Sequence, residues 1–283
     1  MFNLRIAILF CLCAMLPLRV LAAELNSTTR FELPYTHKVA IKSPAGIAYE
    51  LVISLPASYK NSPNKRYPVM YYTDAQWDAP LLNSIYQDLA FDKAVPELVM
   101  VGITYSGAKP NYTALRTKDL TPTKDENFVR DSGGGEAFLT FIKETAIPKV
   151  ENEYRIDTRQ RAIAGWSFGG LFALYAMYSE PELFTRCIAV SPAIPWDNEY
   201  ISQLDDEFFK ANGKFSARLF ISYGSNEAPA FVASVSEFQN KIKNRKAPNL
   251  QLMNYGVENM AHAGAKASAY AQGLVWVWKD IQP

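Results

Sequence analysis

Apolar and polar residues alternate over residues 36–43 ("THKVAIKS") and again over residues 47–56 ("IAYELVISLP"), on either side of a Pro-Ala-Gly turn. Alternation with period two around a turn predicts an antiparallel hairpin with one wet face. The pattern then changes. Residues 67–73, 97–105, 161–165, 186–191, 218–224 and 250–256 form short, nearly continuous apolar runs. Strands of a parallel sheet, covered by helices on both faces, have this composition. Helical patterns separate most of the runs: residues 79–91, 135–154 with a kink expected at Pro148, 168–180 stopped by Pro181, 231–246 and 263–279. The alternation predicts one α/β domain with a mostly parallel sheet and an antiparallel edge hairpin. Residues 106–135 are polar, rich in Gly, Pro, Thr and Asp, and without a clear period. So long an irregular stretch inside a compact domain predicts a functional or disordered loop.

The first 22 residues follow another logic. Arg5 gives a positive start, residues 6–18 are apolar but too short to span a bilayer, and Ala22 and Ala23 are small. That order predicts a secretory signal cleaved after Ala22 or Ala23, leaving a single domain, periplasmic if the source is bacterial. Cleavage would remove Arg5 and Arg19 but no acid, turning a net charge of +1 into −1. A nearly neutral protein has no general attraction for nucleic acid or an anionic membrane. Cys11 and Cys13 would leave too, and Cys187, in the apolar "CIAVSP", reads as a small buried hydrophobe. With two histidines in the whole chain and no cysteine pair left, no metal site is expected.

The chemistry centres on "RAIAGWSFGGLFALYAMY", residues 161–178. Gly165-Trp166-Ser167-Phe168-Gly169 matches G-x-S-x-G, placed as that motif requires between a strand and a helix. Glycines allow a turn tight enough to strain the serine, and the helix start aims free N–H groups, including that of Phe168, at an oxyanion. The competing reading is a glycine turn made only for packing. A serine needs a base. His37 opens the hairpin, away from the serine turn, and reads as structural. His262 follows the last apolar run in "VENMAHAG", on the sheet edge where Ser167 is expected.

The third group should follow the strand before the histidine strand and accept a bond from the imidazole. Glu227, in "RLFISYGSNEAP", fits that place. Asp197, Asp205 and Asp206 are rivals, Glu258 stands too close in sequence to orient His262 from behind, and a Ser-His dyad remains open. The second oxyanion amide belongs after an early strand, where "VMYYTDAQWDA" offers Ala75 or Gln76, with Trp77 as a pocket wall.

From about residue 35 onward the chain resembles the putative-esterase (esterase D-like) family of α/β-hydrolases, and within it the bacterial siderophore esterases. The resemblance is carried by "LPASY", "YPVMYYTDAQ", "VMVGITY", "RTKDLTPT", and the block over residues 133–196 containing "AGWSFGGLFALYAMYSEPELFTRCIAVSPAIPW", with the late "MAHAG". It implies the α/β-hydrolase fold, Ser167 as nucleophile, His262 as base, and the acid in the loop that holds Glu227. Trp166 departs from the pattern, which often has His or a small residue there, and would narrow the mouth of the site. Under the siderophore reading, Arg116 in "RTKDLTPT" would grip catecholate oxygens. Alternatively it pairs with Asp119 or another carboxylate. Trp77, Trp166 and Trp196 would stack on catechol rings or simply pack in the core.

These readings together predict a serine hydrolase acting on carboxylic esters of small molecules, without cofactor. An acyl transferase or thioesterase would use the same groups, and a hydrolase-fold binding module would lack the need for Ser167 and His262.

Overall fold

The apolar runs come together as one eight-stranded sheet in the order β1-β2-β4-β3-β5-β6-β7-β8. The computed structural model describes residues 32–211, 213–245 and 247–282, so the expected signal lies outside the described residues. The strands are β1 (Thr36–Lys42), β2 (Ala48–Ser54), β3 (Tyr67–Tyr72), β4 (Val99–Tyr105), β5 (Ile156–Trp166), β6 (Arg186–Val190), β7 (Ala217–Gly224) and β8 (Leu250–Val257). β1 and β2 form the expected antiparallel hairpin, β2 runs antiparallel to β4, and every other pairing is parallel. This is the α/β-hydrolase architecture. β3 and β4 are buried along their whole length. β8 differs from the expectation of a doubly covered strand: as the edge it alternates exposed and partly buried positions.

Helices cover both faces. α1 (Ala75–Phe91) and α8 (Lys266–Trp278) pack together over one face, around Met70, Leu82, Ile188, Phe220, Leu274 and the fully buried Trp278. The other face carries α2 (Tyr112–Asp119), α3 (Gly135–Phe141), α4 (Ile147–Glu153), α5 (Phe168–Ser179), α6 (Trp196–Lys210) and α7 (Pro229–Asn244). α5 is apolar all round, and Leu171 through Met177 are almost completely buried. It passes through the centre of the molecule, so the residue that starts it is held on a rigid element. Cys187 is buried beneath this layer, and burial pushes its thiol pKa far up, which makes it inert.

Two local differences from the sequence reading have clear causes. The 135–154 helix carries a π turn over Ile142–Ala146, just before the Pro148 at which a kink is expected, where Ile147 N–H reaches back to the Ile142 carbonyl. Pro148 lacks an N–H, and the wider register ahead of it accommodates the lost bond. The polar stretch 106–135 contains α2, capped by the Asn111 side chain, which accepts from the Ala114 N–H at 3.1 Å. Among the described residues no helix is long and apolar enough to cross a membrane.

The chain places β4 outside β3 and then returns to lay β5 on β3's other side. Ligands of open α/β sheets bind beyond the strand ends at such a reversal. Here the C-terminal ends of β3 and β5 carry Asp74 and Ser167.

Candidate active site

Ser167 stands between β5 and α5 at φ 59°, ψ −118°. Positive φ in a residue with a Cβ costs of the order of 1–3 kcal/mol and persists only where its surroundings fix it. They do so here. Ser167 N–H donates to the Val190 carbonyl at 3.0 Å, while its own carbonyl accepts from Leu171 (2.9 Å) and Ala193 (3.1 Å). The flanking glycines are needed for space. A Cβ on Gly165 would lie 2.2 Å from the Gly169 carbonyl oxygen, and one on Gly169 would lie 2.3 Å from Thr73 Oγ1. The turn is therefore pressed against the end of β3, and the Phe168 amide opens α5 with no carbonyl one turn earlier to bond.

The loops after β7 and β8 are laced together. Ser225 N–H donates to the Val257 carbonyl (2.9 Å), Asn226 N–H to the Met260 carbonyl (2.9 Å), and Asn259 N–H to Ser225 Oγ (2.8 Å). Gly224 permits the approach, since a Cβ there would meet the Met260 carbonyl oxygen at 2.3 Å. This lacing sets Glu227 behind His262, with Oε2 2.5 Å from Nδ1. Its other oxygen accepts from Ser191 Oγ at 2.6 Å and the Gly224 N–H at 2.7 Å. Burial pushes the Glu227 carboxyl upward, but the bonds from His262, Ser191 and Gly224 together outweigh it and hold the group below its usual range. A carboxylate so held fixes a proton on Nδ1 and leaves Nε2 free to accept one. The imidazole lies between Trp166, at 4.7 Å between ring centroids, and Phe231, at 5.3 Å and nearly perpendicular. Trp166 is Ser167's immediate neighbour, and its indole N–H donates to the His262 carbonyl at 3.0 Å. Glu227 and His262 thus stand together, beside the serine turn.

At the end of β3, Asp74 is buried with left-handed backbone (φ 57°, ψ 34°) and begins α1. The next two residues, Ala75 and Gln76, present first-turn amides that no intrahelical carbonyl can reach. The Gln76 side chain is fixed by Thr104 Oγ1, which donates to Oε1 at 2.8 Å. Arg116 makes the carboxylate pairing considered for it, with Asp74 as the partner. It lies on α2, is 8% exposed, and donates from Nε and Nη2 to the two Asp74 oxygens at 2.8 and 2.7 Å. A bidentate pair is the strongest geometry open to a guanidinium, and the nearby carboxylate takes it. Asp119, the other partner considered, instead accepts from Tyr49 at 2.8 Å. The guanidinium also lies over Phe168 (5.4 Å) and Trp77 (5.8 Å), so it joins both segments that supply the expected oxyanion amides.

The other aromatic candidates separate. Trp77 is 45% exposed and stands at the rim. Trp196 is buried, donates to the Thr123 carbonyl at 3.2 Å, and packs edge-on against Phe168 and Phe128. The rival acids lie elsewhere: Asp205 is bound by Tyr178 and Arg245, Asp206 by Lys241 and Arg245, while Glu258 is exposed. His37 pairs with Tyr154 Oη at 2.8 Å on the edge strand. Sequence reasoning missed Ser191, which holds Glu227, and Lys266, which forms an ion pair with the buried Asp78 and lies 4.5 Å over the Trp166 ring. Ser191 follows β6 directly, and its place after a strand was the one signal available. Lys266 carried none.

Ferri-bacillibactin esterase BesA of Bacillus subtilis is 30% identical to this chain over 194 residues, 63% of this chain and 65% of that protein. The siderophore enterobactin esterase of Emericella nidulans is 30% identical over 177 residues, 57% of this chain and 58% of that protein. The chain thus matches less than two thirds of either relative's length. The crystal structure of the BES protein from Bacillus cereus superposes with a TM-score of 0.81 at 24% identity, covering 89% of this chain and 97% of that one, which shows a common fold. The family model described as "Putative esterase" matches residues 45–262, from the turn of the hairpin to His262 itself, and the chain belongs to that family.

Proposed function

We propose that this chain is a serine esterase that cleaves carboxylic esters through an acyl-enzyme. Ser167 Oγ attacks the ester carbonyl carbon while His262 Nε2 takes its proton. The carbonyl electron pair moves onto oxygen, where the amides of Phe168 and of Ala75 or Gln76 receive it. His262 then returns the proton to the departing alcohol as the C–O bond breaks. Water, activated by the same base, repeats the sequence and releases the acid and free Ser167. Glu227 holds the imidazole in the tautomer that can accept the serine proton.

The observation that carries this reading is the triply held Glu227 bound to His262 Nδ1, next to a strained serine at a helix start. Arg116 acts in it as a positioning residue through Asp74. Its Nη1 lies outside the Asp74 pair and is the part of the fork available to a substrate anion.

For the substrate we propose an aromatic, iron-chelating ester of the catecholate siderophore class. Two relatives bear the names of esterases of such compounds. The exposed indole of Trp77 beside the oxyanion segment gives an aromatic ring a surface to stack on. We further propose export across a membrane, on the pattern of the first 22 residues. Intact mass of the protein recovered from outside the cytoplasm tests that point: a mass beginning at Met1 would reject it.

Hydrolysis tests the main reading. Purified protein is given a short-chain chromogenic ester and, separately, a cyclic catecholate tri-ester, beside Ser167→Ala. Turnover of both by the wild type alone supports the proposal. Turnover of the simple ester only would reject the substrate class, and equal rates with Ser167→Ala would reject the serine mechanism.

A further inference from the structure

Trp166 occupies the variable position of G-x-S-x-G, directly before Ser167, and it is tied to more of the site than a pocket wall needs to be. One face lies against the His262 imidazole, with centroids 4.7 Å apart and planes at 43°. Its indole N–H donates to the backbone carbonyl of the same histidine at 3.0 Å. The Lys266 ammonium lies 4.5 Å from its ring centroid, a cation–π distance. Lys266 is itself anchored by Asp78, a carboxylate 1% exposed that also accepts from Tyr270 Oη at 3.1 Å. Asp78 belongs to the first turn of α1, the helix whose opening amides are Ala75 and Gln76.

These contacts make a continuous strut from the start of α1, through Asp78, Lys266 and the Trp166 ring, to the His262 loop. His262 is held from behind by Glu227 and flanked by Phe231. Glu227 fixes one ring nitrogen and Phe231 packs edge-on, but neither contacts the His262 backbone by any bond described above. Trp166 supplies both a backbone anchor and a ring contact. A base that must meet Oγ within hydrogen-bond reach loses rate steeply when displaced, so such an anchor bears on kcat more than on binding.

We propose that Trp166 is a positioning residue for His262, itself held by the Lys266–Asp78 pair. This rests on the serine-esterase reading. Trp166→Phe keeps a ring against the imidazole but loses the N–H bond, and is expected to lower kcat about tenfold. Trp166→Leu loses both contacts and is expected to lower kcat about a hundredfold, with KM in both variants within about twofold of wild type. Hydrolysis of a chromogenic ester supplies these constants.

Fluorescence gives an independent readout, because an imidazolium against an indole quenches it while a neutral imidazole does so much less. The charged groups on this assembly are Glu227 at the imidazole and Lys266, with its partner Asp78, at the indole. Wild-type emission should show a quenching step in acid, and the step should be missing from both Trp166→Phe and a folded His262→Gln. The His262→Gln comparison decides the matter even if a Trp166 variant fails to fold. Three results would overturn the inference: a step that persists in His262→Gln, wild-type emission without a step, or Trp166→Phe that raises KM while keeping kcat. The last would make Trp166 a substrate wall. Failure of the esterase reading looks different, since the wild type itself would then hydrolyse no ester.

Discussion

Ser191 offers a sharp test of how the acid is held. Its side chain is fully buried, its backbone is left-handed (φ 40°), and its hydroxyl donates to Glu227 Oε1 at 2.6 Å. Ser191→Ala deletes one donor to a carboxylate that no water can reach from that side. A hydrogen bond to a charged group is worth about 1.5–3 kcal/mol, and the loss is not made good by solvent. For a domain of this size that corresponds to a fall in Tm of about 3–10 °C. The pH dependence carries the argument further. A carboxyl held below its usual range stabilises the fold above the unfolded-state carboxyl pKa, and that contribution is lost as pH falls through the folded value. The variant's carboxyl is held less far down. The stability gap between wild type and Ser191→Ala should therefore be full at neutral pH and close in acid. Urea unfolding at neutral and acid pH measures both. With the Gly224 N–H and His262 still in place, Glu227 should keep its position, so kcat should fall only a few-fold. A gap under about 0.5 kcal/mol at neutral pH, or one equally large in acid, would refute this account of how Glu227 is kept ionised.

Gly224→Ala places a Cβ 2.3 Å from the Met260 carbonyl oxygen and should move the His262 loop, lowering kcat by about a hundredfold or more while the protein stays folded by circular dichroism. Arg116→Ala strands the buried Asp74 carboxylate; thermal unfolding should register a loss of about 3–5 kcal/mol, and Arg116→Lys should recover only part of it because an ammonium cannot make both bonds. Burial drives the Asp119 carboxyl up to about 6 against hydrogen bonds from Tyr49 and Tyr105. Its contribution to stability is therefore full below the ordinary carboxylate range and is lost as pH rises through about 6, a span of about 3 kcal/mol that Asp119→Asn should remove from the denaturation profile.

Much of this architecture was legible in the chain because parallel strands need apolar residues on both faces, which makes them stand out as short blocks. β3 and β4, buried throughout, were the plainest. β8 was misjudged for the same reason, since an edge strand can be rich in apolar residues that are only partly covered, while Gln251, Asn254 and Gly256 stay exposed. α2 was missed because its eight residues are mostly polar, and its stability comes from the Asn111 cap and from Arg116 meeting Asp74, a residue 42 positions earlier. Ser167 and His262 were easy to single out as candidates, one by its glycines and the other by the scarcity of histidines. Glu227 followed from chain order. What holds Glu227 was not legible: Ser191 and the Gly224 amide reach it only because β6 and β7 lie side by side. Arg116 was read two ways. Its place beyond β4, at the site's edge of the sheet, allowed a ligand contact or a carboxylate partner, and only the fold reveals that the partner is Asp74, which takes Nε and Nη2.

The most direct test of the central claim is mass spectrometry of the protein after exposure to a fluorophosphonate, which reacts with serines activated by a base. The expected result is one adduct per chain on the peptide bearing Ser167, absent from Ser167→Ala and much slower to form in His262→Gln. A folded wild-type protein that takes up no label, or a label that survives in Ser167→Ala, would contradict the assignment of Ser167 and His262 as nucleophile and base.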